Sequence, residues 1–289
     1  MQSFFQTLVS GLSFGAVYAL VALGFSLVYR TMGLVNFAHG AVLMIGAYVA
    51  STFYLSARLP FAAAVPIAMV VTGVVGLAIE RVLRPLENKD FDLMLIGTIG
   101  AGTALEAAAI LIWTSAGRGV PSPVRTAPLI VGGVRIPAYD LLVIAVTAVA
   151  MVALTLFLQR TKRGAAMQAV AMDHEAATAA GIHVGRSNAI AFAIGAGLAA
   201  LAGSLAGPML YVSPVMGDSL GIQGFASAVL GGFGSIPGAI AGGLGIGVIG
   251  SFAAQSFQGY SDLVTFVVFT VLVMIRPTGI FGEKTVNRA

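Results

Sequence analysis

Seven stretches of this chain approach or reach the length of a bilayer-crossing helix with few charges: 8–29, 34–54, 61–83, 93–113, 139–158, 188–212 and, more briefly, 263–275. About 20 apolar residues span the hydrocarbon core as a helix, and backbone groups in lipid are satisfied only within helices or closed barrels. The pattern predicts an all-α fold, a polytopic transmembrane helix bundle. Composition agrees, since 58% of the 289 residues are hydrophobic and 9% are charged, against about 25% charged in soluble domains. An ordinary soluble enzyme and a disordered chain are thereby excluded. The complete lack of cysteine removes disulfides, thiol catalysis and Cys-based zinc sites.

An eighth apolar region, 220–257, is broken by Gly231, Gly232, Gly234 and Pro237. It is too long for one helix and short for two, so it forms either two short spans or a broken re-entrant helix. The total is therefore eight or nine crossings of a single transmembrane unit, 1–289. Glycine-broken segments fall both early, at 36–46, and late, at 221–238, a placement compatible with internal symmetry. Met1 to Gln6 carry no basic residue ahead of the first apolar stretch, unlike a cleaved signal peptide.

Basic residues orient the bundle. Eleven of the fifteen fall in one set of gaps: Arg30; Arg81, Arg84 and Lys89; Arg160, Lys162, Arg163 and Arg186; Arg276, Lys284 and Arg288. Arg58, Arg118, Arg125 and Arg135 form the other set. The N-terminus is expected outside and the C-terminus inside, which favours an odd number of crossings. The segment 114–137, rich in Pro and Gly, then reads as an external loop with a short hairpin at "LIVGGVRIP". The cytoplasmic segment 159–187 is rich in alanine and predicts a helical hairpin, ended by Gly181 or Gly185.

Small residues recur at four-residue spacing: Gly195, Ala199, Gly203 and Gly207; Gly11, Gly15 and Ala19; Gly238 and Gly242. That spacing lets helix backbones approach closely in lipid, within the bundle or at a dimer interface. Intramembrane polar residues are the candidates for a pathway. Glu106 stands among alanines inside 93–113, where a carboxylate costs a few kcal/mol and faces a cavity or partner. Asn36 and His39 in "VNFAHG" serve either a helix cap with interhelical hydrogen bonds or the pathway. Gln223 and Ser227 flank the break in 220–257. No HExxH, GxSxG elbow or metal-spaced acids occur, and no GxxxxGK[ST] loop, so neither catalysis nor bound nucleotide is expected of this chain. No run of like charges suggests nucleic acid.

Four quoted stretches resemble, in order, signatures of bacterial branched-chain amino acid ABC transporter permeases of the Liv type: "GLSFGAVYALVALGFSLVYRTMGLVNFAHGAVLMIGAY", "TKRGAAMQAVAMDHEAATAAGIHVGR", "GIQGFASAVLGGFGSIPGAIAGGLGIG" and "RPTGIFG". The likeness is closer to the H-type subunit than to the longer M-type. It implies an inner-membrane subunit paired with a second permease, a distinct M-type chain or an identical copy. Two cytoplasmic ATPase subunits that bind the ATP and a periplasmic substrate-binding protein complete the implied importer. It also implies that Ala169, Asp173, His174, Glu175 and Gly181 belong to the segment that docks on the ATPase. The chain departs from the family pattern at Gln223, where a lysine is usual, and at Glu106, where glutamine is common. Substrates other than branched-chain amino acids therefore stay open, urea and short amides included. A self-sufficient secondary transporter using Glu106 is a further alternative.

Overall fold

The computed structural model describes residues 2–86, 91–124, 126–131, 134–257, 259–276 and 278–282. Lys89, Arg125, Lys284 and Arg288, named above, lie outside them. The early helices are α1 (Gln2–Met32), α2 (His39–Ser51, continued by a π-helical turn, Thr52–Ser56), α3 (Phe61–Leu83, closed by a 3-10 turn, Arg84–Leu86) and α4 (Phe91–Trp113). Three short strands follow, β1 (Arg118–Gly119), β2 (Leu129–Val131) and β3 (Val134–Ile136). Then come α5 (Ala138–Arg160), α6 (Lys162–Met172), α7 (His174–Ala179), α8 (Val184–Ala206) and β4 (Tyr211–Val212). The chain continues through α9 (Met216–Gly231), α10 (Ile236–Ser256) and α11 (Ser261–Ile275). Among the described residues, seven helices are long and apolar enough to cross a membrane: α1, α2 with its π turn, α3, α4, α5, α8 and α10. At 16 and 15 residues, α9 and α11 fall short of that length.

Helices α1, α2 and α8 form the centre. Within their apolar windows 67%, 72% and 78% of residues are buried, against 17% for α4 and 22% for α5 at the periphery. Small residues make the central contacts possible. A methyl on Gly11 would stand 2.9 Å from the Val248 Cα, and one on Gly15 2.8 Å from the Leu244 Cα. From the other side, Gly243 lies against Ala19 and Gly247 against Gly15. The stripes of α1 and α10 thus close on each other backbone to backbone, the arrangement that dispersion favours where lipid removes any hydrophobic drive. Gly195 faces the Gly24 carbonyl on α1, and Gly203 the Leu43 carbonyl on α2. Gly238 backs onto Gly231, Gly242 onto the Ser227 carbonyl, and Gly207, at the end of α8, approaches Val212. All five of these glycines meet this chain's own backbone or side chains.

One open alternative is resolved and two expectations need revision. The stretch 220–257 is two helices rather than one broken helix: α9 turns sharply into α10 through Gly232 (φ 103°) and Gly234 (φ 82°), a region of φ that only glycine enters freely. Ser235 Oγ then caps α10 by accepting from the Gly238 N–H at 3.2 Å. The stretch 188–212 is not one helix either, because α8 stops at Ala206, two residues before Pro208. Its last residues instead form β4, which pairs antiparallel with β1, Arg118 opposite Val212. In 34–54 the helix begins only at His39. The hairpin expected at "LIVGGVRIP" is present as β2 and β3, Leu129 opposite Ile136.

Candidate functional site

The late start of α2 brings a polar segment, with Asn36 and His39, into the bundle interior. Gly33 (φ 66°) ends α1, and the chain then doubles back along α1. His39 comes to lie against Gly24, eight residues or about 12 Å short of the end of α1. Irregular backbone at that depth is tolerated only where protein satisfies its polar groups. Asn36 does so locally, its Oδ1 accepting from the Ala38 N–H at 3.1 Å and its carbonyl from the His39 N–H at 3.1 Å. Thr98 on α4 does so from outside, accepting from the Phe37 N–H at 3.3 Å while donating to the Leu95 carbonyl at 2.8 Å. Asn36 therefore closes a turn just ahead of a helix that starts inside the bundle and has no side-chain cap of its own. His39 is 1% exposed, hydrogen-bonds the Val21 carbonyl, and leaves Nε2 without a partner. Its ring packs on Phe25, with centroids 4.5 Å apart.

The start of α2 meets the start of α9. Gly40 and Gly217 touch through their backbones, and a methyl on Gly221 would stand 3.0 Å from the Gly40 Cα. Beside this crossing α4 passes with Gly102 against Ala38. One turn further along α4 the half-buried Glu106 carboxyl reaches Asp218, which stands in the first turn of α9. Glu106 is thus not a solitary carboxylate. Asp218 escaped sequence reading because it precedes the apolar stretch 220–257 and passes for a loop residue there. The available signal is Pro214, four residues before it, which marks a helix start and places Asp218 inside that helix.

The other two pathway candidates lie elsewhere on α9. Gln223 is buried, and its Nε2 donates to Asp262 Oδ1 on α11 at 3.4 Å. Ser227 is fully buried and donates to the Gln223 carbonyl at 2.7 Å, with Gly242 of α10 packed over its own carbonyl. Neither is joined to Glu106 by any of these contacts. Among the described residues no group of three His, Cys, Asp or Glu is arranged to hold a metal.

A second site lies where α5 passes into α6 and α7. Thr161 caps α6 by accepting from the Gly164 N–H at 2.9 Å, and the Gln168 side chain donates to the Leu158 carbonyl at 2.6 Å, folding α6 back on α5. The Asp173 N–H donates to the Ala169 carbonyl at 3.1 Å, and its own Oδ1 accepts from the Glu175 and Ala176 N–H groups, each at 2.9 Å. Asp173 is therefore the N-cap of α7 as well as part of its surface. His174 and Glu175 are exposed on that first turn and line a cleft with Met32, Thr178 and Val184. Gly181 (φ 80°) ends the unit. Where α8 begins, Arg84 donates to the Gly185 carbonyl at 3.3 Å while its guanidinium grips Glu80, 2% exposed, at 2.8–3.0 Å. That ion pair, unremarked in the sequence, steadies the guanidinium that ties the end of α3 to the first turn of α8.

Residues 7–274 match the family model described as branched-chain amino acid transport system, permease component. The chain is 38% identical to the high-affinity branched-chain amino acid transport system permease protein BraD of Pseudomonas aeruginosa, over 99% of this chain and 98% of that protein. It is 36% identical to the LivH protein of Salmonella typhimurium and 35% to that of Escherichia coli K12, in each case over 99% of this chain and 97% of the relative. Among solved structures, PsaBC from Streptococcus pneumoniae aligns with 95% of this chain and 89% of its own at a TM-score of 0.49 and 14% identity.

Proposed function

From the branched-chain amino acid transport permease family, to which this chain belongs, we propose that it is the membrane-spanning subunit of an ABC importer. It translocates branched-chain or related amino acids across the inner membrane, driven by separate ATPase subunits. The observation that carries the reading is the end-to-end likeness to permeases bearing that description. Its physical counterpart is the α6–α7 unit, a short capped pair of helices held against the ends of α1, α5 and α8. A docked ATPase that moves this unit shifts the bundle between states by binding one of them more tightly.

In this reading the chain crosses the membrane nine times, with α9 and α11 as short crossings. The N-terminus lies outside, the α6–α7 unit and the C-terminus lie inside, and a distinct permease chain and a periplasmic binding protein complete the importer. Glu106 faces the route of the substrate. The test is uptake into proteoliposomes with and without the ATPase subunits and ATP. Accumulation of leucine, isoleucine or valine that needs both is the expected result. Uptake by the chain alone, driven by a proton or sodium gradient, refutes the importer reading.

A further inference from the structure

We infer that the face formed by α4 and the first turns of α9 is the seam against a second, distinct permease chain, with Glu106 and Asp218 together on it. The inference rests on the importer reading above. Of the seven long helices α4 is the least covered, 17% of its apolar window being buried. Its open side carries Ile99, Thr103 and Ile110, with Glu106 at the edge beside the exposed Asp218 and Ser219 of α9 and Val215 just before it. Glu106 lies seven residues before Trp113, about 10 Å along the helix, and a tryptophan at a helix end marks the membrane interface. The two carboxyls are therefore within the hydrocarbon layer.

Lipid tails cannot cover that face. They offer no hydrogen-bond donor, and a single aspartate at the centre of a span costs about 2.5–3.5 kcal/mol on insertion scales. Helix α5, nearly as bare at 22%, makes the contrast: from Leu141 to Leu156 its exposed residues are only alanine, valine and leucine, a surface suited to lipid. A second copy of this chain is a poor occupant of the α4–α9 face. A two-fold axis there would bring four carboxyls into opposition, and like charges oppose one another's ionisation. A different chain presenting amide or basic side chains supplies the missing donors.

Because the chain has no cysteine, single thiols report each face directly. Thr103→Cys and Ser219→Cys test the seam, Gly100→Cys adds a third site where a side chain meets nothing within 4 Å, and Val149→Cys on α5 is the lipid-facing control. Each thiol is coupled to benzophenone maleimide in the whole transporter, reconstituted in membranes and irradiated. The expected result is an adduct of this chain with the other permease from positions 100, 103 and 219, and lipid adducts alone from 149. Lipid adducts alone from all three seam positions, or adducts between two copies of this chain, overturn the inference. Co-purification of the unlabelled chain with the ATPase and partner permease is scored separately. Its failure counts against the importer reading, whereas seam failure in an intact complex counts only against this face.

Discussion

Replacing Gly247 with alanine tests the claim that α1 and α10 are held by direct backbone contact. The new methyl runs into the Gly15 backbone and the Gly11 carbonyl, groups that cannot rotate aside as a side chain does. The neighbouring contacts scale the required movement. A Cβ at Gly11 already stands 2.9 Å from Val248, short of an ordinary 3.4 Å contact by 0.5 Å, and Gly247 is more crowded still. Parting two packed surfaces by 0.5–1 Å forfeits roughly a quarter to a half of their dispersion energy, and overpacking a tight interior costs about 1–3 kcal/mol. Gly245, two residues away on the same helix, is the control, since a Cβ there meets nothing within 4 Å and alanine is the better helix former. The assay is the thermal midpoint of the purified chain, followed by loss of the monodisperse chromatographic peak. Gly247→Ala is expected to lower it by several degrees, Gly15→Ala to lower it less, and Gly245→Ala to leave it unchanged or raised. Equal midpoints for positions 245 and 247 would refute the backbone-contact argument.

Asp173→Ala removes the cap of α7, which should cost about 0.5–2 kcal/mol locally, and uptake should fall while ATP hydrolysis continues. Asp173→Ser, which can still cap, should restore most of the uptake. Gly181→Ala forces a side chain to a φ of 80° at a cost of about 1–2 kcal/mol and should produce the same uncoupling, measured as ATP consumed per substrate imported. Arg84→Ala leaves the buried Glu80 carboxylate unpaired and should lower the thermal midpoint, by the order of 1–3 kcal/mol of stability. Arg84→Lys, which keeps the charge but loses the bidentate grip, should fall between that variant and the parent. Thr98→Val removes the acceptor for the Phe37 N–H and should loosen the segment before α2, seen as faster hydrogen exchange at residues 36–39.

Much of the bundle was legible in the chain because lipid imposes a simple rule: long apolar segments must be helices, and cations stay out of them. That rule found every long helix except α10, which lay in the stretch left open between two short spans and one broken helix, and alanine content predicted the α6–α7 unit. The glycine spacing pointed to close approach, though not to which helix answers which. The rule misled where polar groups satisfy one another inside the protein. Asn36 and Thr98 shelter a non-helical turn in a stretch that is apolar enough to be read as helix, and Pro208 cuts short another.

Length and hydropathy by themselves determined the class of fold, since they act through local backbone hydrogen bonding and transfer from water, which depend on each segment alone. Only the tertiary structure decided which polar side chains meet. Glu106 and Asp218 are 112 residues apart in the chain and become neighbours because Gly40 and Gly217 let the starts of α2 and α9 cross with no side chain between them. Burial then separates their roles, turning Gln223 toward Asp262 and Ser227 into its own helix while the carboxyl pair keeps an open face. Such pairings depend on distances between helices, and those are set by packing rather than by any one segment.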